Sequence, residues 1–150
     1  MRLLIQRVQR AEVSIDGRVH SAIGAGLLTF VGVEPDDTPD DAAWLAGKLV
    51  KLRIFDDADG VMNLDVQQLG GEVLVVSQFT LCASTKKGNR PSYLKAAPEA
   101  VSKPLYELFA ANVAQAMGHE VARGVFGADM QIELLNDGPV TIYINSKNKE

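Results

Sequence analysis

Most of the usual marks of a catalytic or cross-linked domain are missing from this sequence. Its 150 residues include one cysteine, Cys82, which excludes an intrachain disulfide framework and fits a reducing compartment. The two histidines, His20 and His119, have no ligand spacing between them, and neither C-x-x-C nor H-E-x-x-H occurs. No metal site and no cofactor is expected. The G-x-S-x-G elbow, the P-loop and the G-x-G-x-x-G fingerprint are absent as well. No stretch approaches the roughly 18 apolar residues of a membrane span. Arg2, Arg7 and Arg10 are not followed by an uninterrupted apolar segment, so no secretory leader is expected and the cytoplasm is the expected location. Basic residues number 15 against 19 acidic ones, for a net charge of −4. That excludes a surface coated in positive charge; any nucleic-acid contact must come from a local patch.

What is present reads as one α+β domain spanning residues 1–150. Hydrophobic residues make up 47% and charged residues 23%, as in an ordinary globular protein. Residues 3–15 alternate as a strand, Asp16-Gly17 marks a hairpin, and residues 18–23 return. Gly24 to Gly26 turn the chain into a short apolar strand, Leu27 to Val33, buried on both faces. Thr38, Pro39 and Asp41 read as the start of a helix that buries Trp44, Leu45, Leu49 and Leu52. Asp59-Gly60 and Gly70-Gly71 mark turns, and Glu72 to Phe79 reads as a second buried strand. Residues 98–117 form a second main helix, which Pro104 is expected to kink or split and Gly118 to end. Residues 129–135 and 140–145 read as two strands joined by Asn136-Asp137-Gly138-Pro139. A mixed or largely antiparallel, barrel-like sheet with two main helices follows.

Two segments stand out because polar groups interrupt apolar strands. Ser77-Gln78-Phe79-Thr80-Leu81 ends a buried strand, where side chains and free N–H groups can face a cleft. The plainer reading is that Ser77 and Thr80 satisfy local backbone groups while Phe79 packs the core. Asn136 to Thr141 holds an Asp-Gly pair, whose plainer reading is a hairpin turn. Between them, Lys86, Lys87 and Arg90 put three positive charges on one polar loop. That loop reads equally as a solvated turn or as a small anionic-ligand patch.

Together, Ser-Gln-Phe-Thr-Leu at 77–81, Lys-Gly-Asn-Arg-Pro-Ser at 87–92 and Asn-x-Gly-Pro-x-Thr at 136–141 resemble the D-aminoacyl-tRNA deacylase (D-tyrosyl-tRNA deacylase) family. The resemblance extends to the opening Met1 to Ile15, with Arg7-Val8, and to the length of the chain. It implies a cofactor-free homodimer with its active site at the subunit interface. Ser77, Gln78, Phe79 and Thr80 would form the catalytic segment. Gly138-Pro139, flanked by Asn136 and Thr141, would be a cis dipeptide entering the partner's pocket and rejecting L-amino acids. Lys86, Lys87 and Arg90 would touch the 3′ end of tRNA. Two schemes stay open: attack by Thr80, which needs an adjacent base, or attack by water oriented by the substrate's own 2′-hydroxyl, which the resemblance favours. Two other classes also remain, a non-catalytic dimeric module that binds tRNA ends and a thiol hydrolase using Cys82.

Overall fold

The alternation at the N-terminus produces one long strand, β1 (Arg2–Ile15), on which the rest of the sheet is built. The structure is a computed structural model and describes residues 1–149. Asp16 and Gly17 take φ of 51° and 76°, the positive pair that a tight hairpin turn requires. β2 (Arg18–Ile23) then returns antiparallel along the second half of β1. β3 (Gly26–Gly32) pairs antiparallel with the first half, and β6 (Glu72–Ser77) and β7 (Ala122–Arg123) extend it in parallel. Ser21 Oγ of β2 donates to the Arg123 carbonyl of β7 at 2.8 Å. The sheet therefore curls into a nearly closed barrel.

Period-two alternation divides the apolar residues between two cores. Val13, Leu28, Leu74 and Val76 fill the barrel, while Leu3, Ile5, Leu27, Val73 and Val75 face the helices. β3 and β6 are covered on both sides, which is why their sequences read as continuous apolar runs. The outer layer is α1 (Pro39–Val50) and α3 (Glu99–Met117), packed on each other and on the sheet. Asp41 accepts the Thr38 N–H at 2.8 Å, so the expected cap is in place. Phe109, Leu45 and Leu49 are fully buried, each contributing about 1.5–3 kcal/mol through burial. β4 (Phe55–Asp56), β5 (Met62–Leu64) and the single turn α2 (Val66–Leu69) fill the connection between α1 and β6. Among the described residues no helix is long and apolar enough to cross a membrane.

Four expectations need correction. Residues 129–145 are not two strands joined by a turn. β8 (Gln131–Asn145) is one strand, and both of its halves pair antiparallel with β1. The fourteen residues of β1 are long enough to engage both, so Asp137-Gly138 becomes an excursion within the strand and not a reversal. The second strand stops at Ser77, and Phe79 is 57% exposed instead of packing the core. Pro104 does not split off the first turn: α3 runs unbroken from Glu99 to Met117. Pro104 and Ala100 both lie on the exposed face of the helix, where the loss of one backbone hydrogen bond costs least. Trp44 is half-buried, its ring overlaid by Lys48 and Lys149 at 5.4 and 4.6 Å, and Leu52 falls just beyond the helix.

Candidate active site

β6 ends where its backbone turns away from β3. The last rung is the Gln78 N–H, donated to the Val31 carbonyl at 2.7 Å. Gln78 leaves the extended region at φ −148°, ψ 80°, and Phe79–Cys82 coil into one 3₁₀ turn. A turn this short leaves its first N–H groups without internal partners. Those of Phe79 and Thr80 donate to no carbonyl or side chain among the described residues. The Gln78 N–H is already engaged by Val31 and is not free to meet a ligand. The Gln78 side-chain amide donates to Thr80 Oγ1. The Thr80 hydroxyl therefore accepts from an amide, not from a base, and keeps its own proton to donate. The exposed Phe79 ring rests edge-on against Tyr93, centroids 5.1 Å apart.

Ser77, Gln78 and Phe79 form one wall of a cleft of about 310 Å³. Tyr106 and Ser102 of α3 form a second wall, and Phe126 to Met130, between β7 and β8, a third. Burial pushes the Tyr106 hydroxyl up to about 12, and it donates to the Val75 carbonyl at 3.0 Å. Sequence reasoning missed the 126–130 segment. Its one local signal is Gly127, at φ 77°, a turn residue in a stretch with no periodicity. Thr80 stands beside the cleft and does not line it. His20 and His119 lie elsewhere, both exposed.

The second conspicuous segment is built around Arg7. In the register of β1 and β8, Val8 pairs with Asn136 and Gln6 with Thr141, so Asp137 to Val140 loop out opposite Arg7 alone. Arg7 is 7% exposed, so its charge must be answered locally. It donates to the Ile54 carbonyl at 2.7 Å and the Asp137 carbonyl at 3.1 Å, and pairs with the Asp137 and Asp56 carboxylates at 3.4 and 3.5 Å. From the other side, the Asn136 amide donates to the Arg7 and Val140 carbonyls, both at 3.0 Å, tying the neck of the loop. Thr141 Oγ1 accepts from the Gln6 amide at 3.3 Å. At the tip, Gly138 and Pro139 are exposed and their peptide bond is cis. Gly138 has φ 123°, and a Cβ there would lie 2.9 Å from Arg7 Nη2, so only glycine fits without strain. Arg7 was legible only as a member of the opening segment. Its signal is parity, a charge at the inward position that follows Leu3 and Ile5.

The two segments do not meet within one chain. Ser77 is level with Val31 and Leu3, whereas the excursion lies opposite Arg7, and neither Gly138 nor Pro139 lines the cleft. Lys86, Lys87 and Arg90 sit on a loop that leaves the 3₁₀ turn and is closed at its neck by paired backbone bonds between Ser84 and Ser92. All three are exposed and carry no salt bridge among the described residues. Cys82 is fully buried, its thiol pushed up by that burial and directed at the Val33 carbonyl at 3.6 Å. A group so placed is not an accessible nucleophile.

The fold has counterparts among known proteins. The solved structure of the c-Myc DNA unwinding element binding protein superposes with a TM-score of 0.91, at 35% identity over 97% of this chain and 98% of that one. A second solved structure, described as a probable eukaryotic D-amino acid tRNA deacylase, shares the fold with a TM-score of 0.83 at 17% identity, covering 95% and 97% of the two chains. The D-aminoacyl-tRNA deacylase of Parabacteroides distasonis is 60% identical over the whole of both chains. A family model described as D-Tyr-tRNA(Tyr) deacylase matches residues 4–145. The chain belongs to that family of hydrolases.

Proposed function

We propose that this protein hydrolyses the ester bond joining a D-amino acid to the terminal ribose of tRNA, and that it does so as a homodimer in the cytoplasm. The observation that carries the reading is the 3₁₀ turn at the end of β6. Two adjacent N–H groups have no partner among the described residues: that of Phe79, which lines the cleft, and that of Thr80 beside it. Ester hydrolysis needs such donors: water adds to the carbonyl carbon, and its oxygen becomes an oxyanion. Each donor so placed is typically worth about 2.7–4 kcal/mol. Collapse of the intermediate expels the ribose oxygen, which takes up a proton, and frees the amino acid.

Water is the nucleophile on this reading. The Thr80 hydroxyl has the Gln78 amide as its partner and, among the described residues, no hydrogen bond to a base, whereas an attacking hydroxyl needs one. The substrate's 2′-hydroxyl, adjacent to the ester, orients the water, while Thr80 and Ser77 position groups around it. Lys86, Lys87 and Arg90 give the acidic protein a local positive patch for the phosphates of the tRNA 3′ end.

The dimer is supported by what β8 leaves uncovered. One edge of β8 pairs with β1, and no strand among the described residues pairs with the other. Its apolar residues Ile132, Leu134, Val140, Ile142 and Ile144 are only half-buried, and Leu135 and Tyr143 are exposed. A second copy is the natural cover for such a surface. In that dimer Gly138 and Pro139 enter the partner's cleft. A loop tied at its neck and floor resists displacement, so an L-side Cβ that strikes it is rejected, whereas a D-side chain points elsewhere.

The test is deacylation of D-tyrosyl-tRNA and L-tyrosyl-tRNA by purified protein. Hydrolysis of the D form alone is expected. Binding of both without hydrolysis marks a tRNA-end-binding module instead.

A further inference from the structure

One backbone rung, the Gln78 N–H on the Val31 carbonyl, ties the start of the 3₁₀ turn to β3, yet N–H groups that meet a developing oxyanion must be held within about half an ångström. The residues behind the turn supply that support. Arg2 directs Nε and Nη2 at the two carboxylate oxygens of Glu34, at 3.1 and 2.6 Å, and Nη1 at the Leu81 carbonyl, at 3.1 Å. Leu81 is a residue of the turn. The ion pair is shielded, the two side chains being 18% and 14% exposed. The hydrogen bond to Glu34 raises the Arg2 pKa further, so the fork is charged at every working pH.

Gly32 of β3 completes the support. A Cβ there would lie 3.0 Å from Leu81 Cβ, and 3.2 Å from both Cys82 Sγ and the Gln78 carbonyl oxygen. The turn therefore rests close on the β3 backbone, and a side chain at position 32 would push it away by a few tenths of an ångström.

We propose that Arg2, Glu34 and Gly32 are positioning residues for the reaction: Glu34 orients Arg2, Arg2 holds the Leu81 carbonyl, and Gly32 sets the distance at which the Phe79 and Thr80 N–H groups stand. The inference rests on the reading of that turn as the oxyanion site. None of the three lines the cleft; Arg2 and Gly32 touch the turn directly, and Glu34 acts on it through Arg2. The role is specific to a guanidinium, because three donors fixed in one plane serve Glu34 and Leu81 together and a lysine ammonium has no such plane.

Two measurements on the full-length protein test this: kcat and KM with D-tyrosyl-tRNA, and native-state amide hydrogen exchange. The variants are Arg2→Met, Arg2→Lys, Glu34→Gln and Gly32→Ala. For Arg2→Met, kcat should fall about tenfold, since small misplacements at a reacting centre are amplified, while KM stays within about twofold. Exchange of the Leu81 and Ala83 amides, which close the turn, should speed about tenfold while the β3 amides keep their protection. Arg2→Lys should not restore kcat; Glu34→Gln, which keeps a hydrogen-bonding partner beside Arg2, should retain more of it than Arg2→Met. Gly32→Ala should lower kcat at unchanged KM, and it carries the test if Arg2→Met does not fold. Wild-type kcat in Arg2→Met, or loosening spread equally through β3, overturns the inference. If the wild-type protein hydrolyses no D-tyrosyl-tRNA, the reading of the site fails by itself. Exchange then decides whether Arg2 holds the turn: selective loosening supports it, and unchanged exchange overturns it.

Discussion

Arg7 reaches from β1 beneath the excursion of β8 and donates through Nε to the Asp137 carbonyl at 3.1 Å, one residue before Gly138. A buried guanidinium thus forms the floor of the loop proposed to set chirality. Arg7→Met removes that floor and leaves the Ile54 carbonyl without its 2.7 Å donor. The expected stability loss is about 2 kcal/mol, the usual penalty for an orphaned buried acceptor, measured by urea unfolding. D-over-L discrimination should fall at the same time, because a loosened loop yields to an L-side Cβ. Unchanged discrimination in a folded Arg7→Met protein contradicts the assignment.

The nucleophile is tested at two atoms. Thr80→Ala should leave substantial activity, and replacing the 2′-hydroxyl of the terminal adenosine by hydrogen should hurt far more. Trapping an acyl group on Thr80 by mass spectrometry contradicts water attack.

Cys82 is expected to be silent. Cys82→Ala should hydrolyse D-tyrosyl-tRNA at close to the wild-type rate, and the native thiol should resist a thiol-reactive dye until the protein unfolds, because its side chain is fully buried and its pKa raised. Rapid labelling of native protein with loss of activity would revive the thiol hydrolase.

Tyr106 predicts the alkaline limb of stability. Its folded pKa, about 12, lies above the ordinary value of 10.0. The unfolded chain therefore loses this proton first, and stability falls as pH rises from 10 to 12. The loss amounts to about 2 kcal/mol at the upper end. Tyr106→Phe should flatten that limb, and the Val75 carbonyl keeps the Gly124 N–H at 3.0 Å as its partner. Equal slopes in the two proteins contradict the assignment.

These outcomes also mark how far local pattern carries. The opening hairpin, the Thr38 cap and Gly118 were legible because each is decided within a few residues. The end of β6 was not: Phe79 suits a strand by composition, but Gln78 gives its N–H to Val31 and then turns off, which depends on a distant strand. β8 was misread for a similar reason. Asp-Gly closes a hairpin when the flanking segments pair with each other, and here both pair with β1. Ser77 to Thr80 and Asn136 to Thr141 could be singled out as segments because their polarity is out of place in strands. Arg2, Glu34, Gly32 and the Phe126 to Met130 wall act through contacts between distant parts of the chain, and no spacing announces them.

Assembly is read from mass. The protein should sediment at twice the 16.2 kDa of the chain. Leu135→Asp and Tyr143→Asp together should shift it toward the monomer and abolish deacylation, since the cleft then lacks Gly138 and Pro139 from a second copy. An active monomer contradicts the shared site.

The central claim is that the enzyme excludes the wrong hand and barely reads the side chain. The most direct measurement is deacylation of glycyl-, D-alanyl- and L-alanyl-tRNA at matched enzyme concentration. Glycine has no Cβ to strike Gly138 and Pro139, and lacking a D-side methyl weakens binding by only about 1–3 kcal/mol. The prediction is that glycyl- and D-alanyl-tRNA are hydrolysed and L-alanyl-tRNA survives. If glycyl-tRNA survives as L-alanyl-tRNA does, selectivity comes from recognition of the D-side chain, and the role given to the Gly138-Pro139 loop is wrong.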